Sequence, residues 1–261
     1  MIDKGKIYPQ SCPICNARTN YVHNISESKD IEAYWYSCTC GVIFQENVPE
    51  HGKYNVKYQG IYDNKNGAME HSCRTYGPLI EELTYGRQML DVGFAIPWNM
   101  KAFEKRGWLV WGIDINKDLK GGGNLYKGDF MTYDFSPNIP KDKLQELTGG
   151  EKIERKFDLI WMGHIFEHFN DPIAAIKKAY DLLTEDGVLY IATPDIDFIN
   201  SKGVSNFGHW KKQEHYIMWS ERALNREVER VGFKTVMSRR NYINRFGTWN
   251  DVHAIYQKKY F

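Results

Sequence analysis

At 261 residues the chain is long enough for one α/β core and a small accessory module, but not for two full-sized domains. Its 34 Lys and Arg against 33 Asp and Glu leave a net charge of +1, which excludes a global field drawing it to nucleic acid or an anionic membrane. No run approaches the ~18 apolar residues of a membrane-spanning helix, and the first residues lack the apolar core of a signal peptide, so a cytoplasmic protein is the simplest expectation.

Four of the five cysteines fall between residues 12 and 40. In a reducing compartment such crowding points to a metal rather than to disulfides. Cys12-Pro13-Ile14-Cys15 and Cys38-Thr39-Cys40-Gly41 stand a hairpin apart, with the β-prone Tyr34, Trp35 and Tyr36 between them. The pattern resembles a zinc ribbon, in which Cys12, Cys15, Cys38 and Cys40 would close a tetrahedral shell and make the zinc structural. The second pair has one intervening residue instead of the usual two. The alternative is a pair of buried or redox-active cysteines in a loop-rich hairpin, while Cys73 reads as an ordinary small apolar residue. This places a cysteine module at 1–47 and a linker or lid at 48–85. In the linker Tyr54, Tyr58 and Tyr62 have helical spacing, whereas Gly60 and the Asn-rich stretch 64–66 favour a loop over the domain junction.

Residues 86–261 read as the main domain. Gln88 to Gly93 forms the first strand and its exit turn, and Trp98 to Arg106 a helix ended by Gly107. Strands follow at Trp108 to Ile115 and, after the glycines 121–123, at Asn124 to Phe130. Residues 134–155 have no period and read as a surface insertion. Phe157 to Gly163 is the fourth strand. Asp171-Pro172 caps a helix whose apolar face is Ile173, Ile176, Tyr180 and Leu183, and Gly187 to Thr193 is the fifth strand. Ser220 caps a further helix bearing Leu224, Val228 and Val231, stopped by Gly232. Strands near 233–240 and 252–258 complete seven. Strands alternating with amphipathic helices predict an α/β fold with a doubly wound, mostly parallel sheet.

In such sheets ligands bind beyond the carboxyl ends of the strands, where the chain order reverses. The first exit turn, Asp91-Val92-Gly93-Phe94-Ala95-Ile96-Pro97, resembles the D-x-G-x-G-x-G signature of the class I S-adenosylmethionine-dependent methyltransferases, with Ala95 and Pro97 in place of two glycines. Asp114 lies 23 residues after Asp91, at the end of the second strand, and Gly128-Asp129-Phe130 ends the third. The resemblance continues through Phe157-Asp158-Leu159-Ile160, Phe166-Glu167-His168 and Leu182 to Pro194, and spans roughly 88–258. It implies a cofactor site built from Asp91, Gly93, Ala95, Asp114, Ile115, Asp129, Phe130 and His164. Gly93 would let the backbone approach S-adenosylmethionine, Asp91 would fix the turn or receive the methionine ammonium, Asp114 would accept the ribose hydroxyls, and Asp129 and Phe130 would hold the adenine. A nicotinamide dehydrogenase, which shares the sheet, would show G-x-G-x-x-G at the first turn.

Methyl transfer is an in-line displacement, so a base is needed only where the acceptor must lose a proton. His164, His168, His209, Glu214 and His215 stand in the loops after the fourth and fifth strands. The segment Gln213 to Ser220 resembles the glutamate-histidine segment of methyltransferases related to the sugar C-methyltransferases, which also carry a cysteine-ligated zinc module. That resemblance implies His215 as general base, Glu214 orienting it and His168 as a second acid or base; hydrogen bonding of the loops is the competing role. In those enzymes another domain follows, whereas here the sequence ends at Phe261 after its last strand. The expected acceptor is a small molecule, a sugar or nucleotide-linked sugar methylated on O or C. The competing expectations are a nucleic-acid or protein methyltransferase using the cysteine module and the basic pairs Lys211-Lys212 and Arg239-Arg240, and a cofactor-binding scaffold without catalysis.

Overall fold

The computed structural model describes residues 11–25, 33–46, 66–116, 124–136, 155–204, 207, 209–211, 214–240, 243–244, 247–248 and 250–259. Tyr54, Tyr58, Tyr62, Lys212 and the glycines 121–123 lie outside them. Among the described residues no helix is long and apolar enough to cross a membrane.

The cysteine-bearing region folds as three strands, β1 (Asn20–Ile25), β2 (Ala33–Cys38) and β3 (Val42–Gln45). Helix α1 (Asn66–Leu83) follows, then β4 (Gln88–Val92), α2 (Trp98–Glu104), β5 (Leu109–Asp114) and β6 (Asn124–Lys127). The chain continues through β7 (Phe157–Gly163), a 3-10 turn (Phe166–His168), α3 (Pro172–Leu182), β8 (Leu183–Pro194), α4 (Asp197–Lys202) and β9 (Ile217–Trp219). It closes with α5 (Glu221–Val231), β10 (Phe233–Arg240), the short pair β11 (Ile243–Asn244) and β12 (Gly247–Thr248), and β13 (Asp251–Lys258).

The main sheet has seven strands in the order β10-β13-β8-β7-β4-β5-β6. Strands β8, β7, β4, β5 and β6 are parallel, while β13 runs antiparallel to both β8 and β10. The order reverses between β4 and β7, so the switch point lies at their carboxyl ends, where ligands of such sheets bind. The capping signals read from the sequence are used. Asp171 Oδ1 accepts from the Ala174 N–H at 2.9 Å, Ser220 Oγ from the Ala223 N–H at 3.3 Å, and Gly107 and Gly232 adopt φ of 85° and 124°.

Three elements differ from the sequence expectation. The third strand stops at Lys127, because the Asp129 backbone carbonyl turns to accept the Thr132 and Tyr133 N–H groups. The fifth strand starts at Leu183 rather than Gly187, straight from the end of α3, whose buried face is Ala175, Ile176, Ala179 and Leu182, with Ile173 and Tyr180 at its margin. Much of the segment read as a linker is α1, with Cys73, Tyr76 and Ile80 buried at helical spacing against the sheet. Glu81 ties α1 to α2, accepting from Arg106 Nε at 2.8 Å and Trp108 Nε1 at 3.0 Å.

The smaller sheet, β1-β2-β3-β9, takes its last strand from the main domain. Val42, Ile43 and Phe44 pair antiparallel with Trp219, Met218 and Ile217, and Cys12, Tyr36, Val42 and Phe44 share one apolar cluster with Ile217, Trp219 and Leu224. The cysteine-bearing strands are thus packed on the loop that follows β8.

Candidate active site

The first exit turn is shaped by two residues in the left-handed region, Gly93 at φ 68° and Ala95 at φ 43°. A Cβ at Gly93 would stand 2.6 Å from Ile165 Cδ1, so the loop after β7 lies directly on the turn. Ala95 is held by a hydrogen bond from its N–H to Asp114 Oδ2 at 3.0 Å, while the Asn116 N–H donates to Oδ1 at 2.8 Å. The Asp114 carboxylate therefore clamps the ends of β4 and β5 together and keeps lone pairs to spare. Burial raises its pKa, and those two N–H groups oppose the rise. Pro97 costs the turn no hydrogen bond: it is the N-cap of α2 and contributes its carbonyl, which accepts from the Lys101 N–H at 3.0 Å.

Asp91 is 2% exposed and its Oδ2 has no hydrogen-bond partner among the described residues. Burial and the nearby Asp114 carboxylate push its pKa well up. A donor or cation brought by a ligand would relieve this atom, as the amino-acid end of S-adenosylmethionine can. Ile115, 41% exposed beyond the β5 end, offers uncovered apolar surface. Asp129 Oδ1 is used by the Met131 N–H at 2.9 Å, and the Phe130 ring is 3% exposed, packed on Phe135 and Phe169. Most of the ring surface that the sequence reading assigned to an adenine is thus covered by core side chains.

Beside this turn the structure gathers a group the sequence only partly announced. Glu167, in the 3-10 turn, is 1% exposed. Its Oε2 accepts from Thr193 Oγ1 at 3.0 Å, and around Oε1 stand His164 Nδ1 at 3.8 Å, His168 Nε2 at 3.9 Å and His215 Nε2 at 3.9 Å. Burial alone would raise Glu167, but the imidazoles of His164, His168 and His215 together hold it well below the usual carboxylate range. Burial depresses His168 and His215, the latter strongly and with help from its neighbour His168, while Glu167 pulls both the other way. His215 Nδ1 lies 2.9 Å from the His209 carbonyl oxygen, and the Tyr216 N–H donates to the Glu167 carbonyl at 2.7 Å. The carboxylate facing His215 is therefore Glu167; the contact of the Glu214 backbone is with His168.

His164, at φ 54°, sits between Glu167 and Asp251, with Nε2 3.5 Å from Asp251 Oδ2. Burial opposes its charge, yet Asp251 and Glu167 lift it to about 9. Asp251 is fully buried, and neither carboxylate oxygen has a hydrogen-bond partner among the described residues; burial pushes it up to about 6 against the pull of His164. Sequence reasoning missed Asp251. Its signal was an acid opening the last strand ahead of the buried run Val252–Tyr256, which antiparallel pairing sets opposite Pro194 at the end of β8. Arg240, one of the basic residues read as a phosphate-binding pair, is engaged instead by Asp195 Oδ2 at 3.0 Å and Asp197 Oδ2 at 3.5 Å.

At the far end of the small sheet the four cysteines converge. Cys12 Sγ lies 3.7 Å from Cys40 Sγ and Cys15 Sγ 3.4 Å from Cys38 Sγ, and all four sulfurs lie within 4.8 Å of one another. Bonds of about 2.3 Å to one ion would set sulfurs about 3.8 Å apart, so the cluster is close to a metal-ready tetrahedron. Two backbone N–H groups, from Ile14 and Cys40, point at Cys12 and Cys38 Sγ at 3.4 Å each. The short second pair closes because Gly41 turns at φ 96°.

Residues 67–238 match the family described as Methyltransferase domain, which covers every parallel strand of the main sheet and the histidine-bearing loops. The chain belongs to this family of S-adenosylmethionine-dependent methyltransferases. A ubiquinone biosynthesis O-methyltransferase from Actinobacillus pleuropneumoniae serotype 7 (strain AP76) is 31% identical over 110 residues, 42% of this chain and 46% of that one. The alignment thus spans about half the length of that curated relative. The crystal structure of a SAM-dependent methyltransferase from Archaeoglobus fulgidus superposes with a TM-score of 0.55 at 15% identity, covering 77% of this chain and 100% of that chain. That of the Burkholderia thailandensis 1,6-didemethyltoxoflavin-N1-methyltransferase, with its substrate and S-adenosylhomocysteine, does so at 0.52 and 12% identity, covering 92% and 100%. At these identities the structures establish a shared fold, and no more than that.

Proposed function

We propose that this methyltransferase transfers the methyl group of S-adenosylmethionine to a hydroxyl of a small-molecule acceptor, with the cofactor held by Asp91, Gly93, Ala95, Asp114, Ile115 and Asp129. The observation that carries this reading is the placement of His168 Nε2 and His215 Nε2, each 3.9 Å from the buried Glu167 carboxylate, whose loop presses against the first exit turn through Ile165. Neutral imidazoles can receive the proton of an acceptor hydroxyl as its oxygen attacks the methyl carbon, and Glu167 stabilises the imidazolium so formed. His215 is the proposed base, with His168 second to it. His164, already cationic, is suited to attracting an anionic or polar acceptor rather than to taking a proton. The relatives' printed names concern ring-bearing small molecules, and the histidine-rich loop suits either a ring hydroxyl or a sugar hydroxyl.

The four cysteines are proposed to hold a structural zinc, since four thiolates leave no position for a reacting ligand. A chain that keeps four thiolates reduced fits a cytoplasmic setting. A nucleic-acid acceptor finds no support in Arg240, which is paired with buried acids.

Calorimetry with S-adenosylhomocysteine, followed by transfer of a labelled methyl group to a panel of phenols, quinols and sugars, tests the proposal. Binding plus labelling of a hydroxyl compound is the expected result. Absence of cofactor binding at millimolar concentration, or labelling confined to nucleic acid or protein, would refute it.

A further inference from the structure

Alignment of a methyl donor and an acceptor does not by itself call for three ligand atoms, two of them on buried residues, converging on one point. Glu167 Oε1, His168 Nε2 and His215 Nε2 do so, within 4.8 Å of one another, with both nitrogens 3.9 Å from the oxygen. The hydrogen bonding of His215 makes this arrangement informative. Only an N–H can face a carbonyl, so the 2.9 Å contact with the His209 oxygen puts the ring proton on Nδ1. In the neutral ring Nε2 is then a bare lone pair, and it faces a carboxylate oxygen. Two lone pairs confronting each other are repulsive, and 3.9 Å is too long for a hydrogen bond in any tautomer. A cation between them converts the repulsion into coordination.

We propose that Glu167, His168 and His215 bind a divalent transition-metal ion, in a site separate from the four cysteines. Bonds of about 2.1 Å place tetrahedral ligands about 3.4 Å apart, so the two nitrogen–oxygen separations of 3.9 Å need close by only about half an ångström. One carboxylate and two imidazoles suit zinc, iron(II) or manganese better than magnesium or calcium, which favour oxygen-rich shells. The supporting contacts have the form that such sites use: Thr193 Oγ1 on Glu167 Oε2 at 3.0 Å, the His209 carbonyl on His215, and the Glu214 backbone on His168. The Tyr216 N–H bond to the Glu167 carbonyl at 2.7 Å locks together the two segments that bring the ligands. Three protein ligands leave a position open, as in catalytic rather than structural sites. The use of that position rests on the proposed methyl transfer: the ion would hold the acceptor oxygen and lower the pKa of its hydroxyl, taking over in the metal-loaded enzyme the part assigned above to His215, whose base role then belongs to the metal-free enzyme. Metal binding itself does not rest on it.

The test is a cobalt(II) titration of the full chain carrying its cysteine-bound zinc, read by visible absorption and by metal analysis after desalting. One further cobalt per chain is expected, with ligand-field bands and without the thiolate charge-transfer band that replacement at the cysteines would give. Glu167→Gln and, at the less buried ligand, His168→Gln should each weaken it by at least about tenfold while S-adenosylhomocysteine affinity stays near wild type, which shows that each variant is folded. No cobalt beyond the cysteine site, or undiminished binding in both variants, overturns the metal site. A chain that binds the extra cobalt but labels no hydroxyl compound overturns the function reading and leaves the metal site standing.

Discussion

Asp114 carries two duties that one substitution separates. Its carboxylate accepts the Ala95 and Asn116 N–H groups at 3.0 and 2.8 Å, and in the proposed complex it also receives two ribose hydroxyls. Asp114→Ala removes both backbone bonds, each of about 1.5–3 kcal/mol because the acceptor is charged. Relief of the carboxylate's own burial and of its repulsion with Asp91 returns part of this, leaving a net loss of about 2 kcal/mol. For a chain of this size that corresponds to a melting temperature lower by about 4–8 °C. The loss of two charge-assisted bonds to the ribose removes about 3–5 kcal/mol of binding energy, or about 200- to 5,000-fold in Kd for S-adenosylhomocysteine. Asp114→Asn keeps an acceptor oxygen and should lose about tenfold. Melting curves read the first duty and isothermal calorimetry the second. If Asp114→Ala melts lower yet binds S-adenosylhomocysteine within about threefold of wild type, the ribose assignment is refuted and the carboxylate serves the turn alone.

Gly93 and Gly107 form a matched pair for the backbone argument. Both have positive φ, but a Cβ would meet Ile165 at 2.6 Å in the first case and nothing within 4 Å in the second. Gly107→Ala should cost about 1–2 kcal/mol in thermal melts, from strain alone, and Gly93→Ala about 1–3 kcal/mol more; equal losses would remove the close approach from the account. Acid should destabilise the fold. Burial holds His209 at about 4 and His253 at about 3, below their unfolded value near 6.5, so their contribution is full above pH 6.5 and is lost as pH falls towards 4. Each costs about 1.4 kcal/mol per pH unit in that window, and Asp251, raised to about 6, offsets about one of them below pH 6. A melting temperature unchanged between pH 7 and 4.5 would contradict this. Cys38→Ser should lower bound zinc and slow methyl transfer together, because Ser220 Oγ and N–H both bond to the Gly41 carbonyl beside the cysteine turn; wild-type zinc content in that variant would refute the four-cysteine site.

The parallel sheet was legible because its signals are local: uninterrupted apolar runs such as Phe157 to Met162, and caps such as Asp171, Ser220 and Gly107, act within a few residues of where they stand. Helix α1 was not, since Asn66-Gly67 and Gly77-Pro78 read as breakers, and only burial of Cys73, Tyr76 and Ile80 against the sheet overrides them. The sharp turn after β4 could be read from Gly93, although the tolerance of Pro97 depended on its falling at an N-cap, and the Asp114 bond that holds Ala95 was not foreseen. The histidine group was legible in its members and not in its arrangement. Glu167 and His215 lie far apart in sequence and meet only because β9 follows the loop back across the 3-10 turn, and Asp251 joins them only through an antiparallel strand.

That return of β9 has a consequence for handling the protein. Strand β9 is the outer member of a sheet whose other strands all precede residue 47. Deleting that region to isolate the matched domain would strip β3 from Ile217–Trp219 and leave an unpaired, wholly apolar strand edge bearing a tryptophan. Such edges recruit strands from other molecules. A truncated enzyme should therefore self-associate even where its main sheet is intact, and the minimal soluble unit of this methyltransferase includes its cysteine-bearing strands.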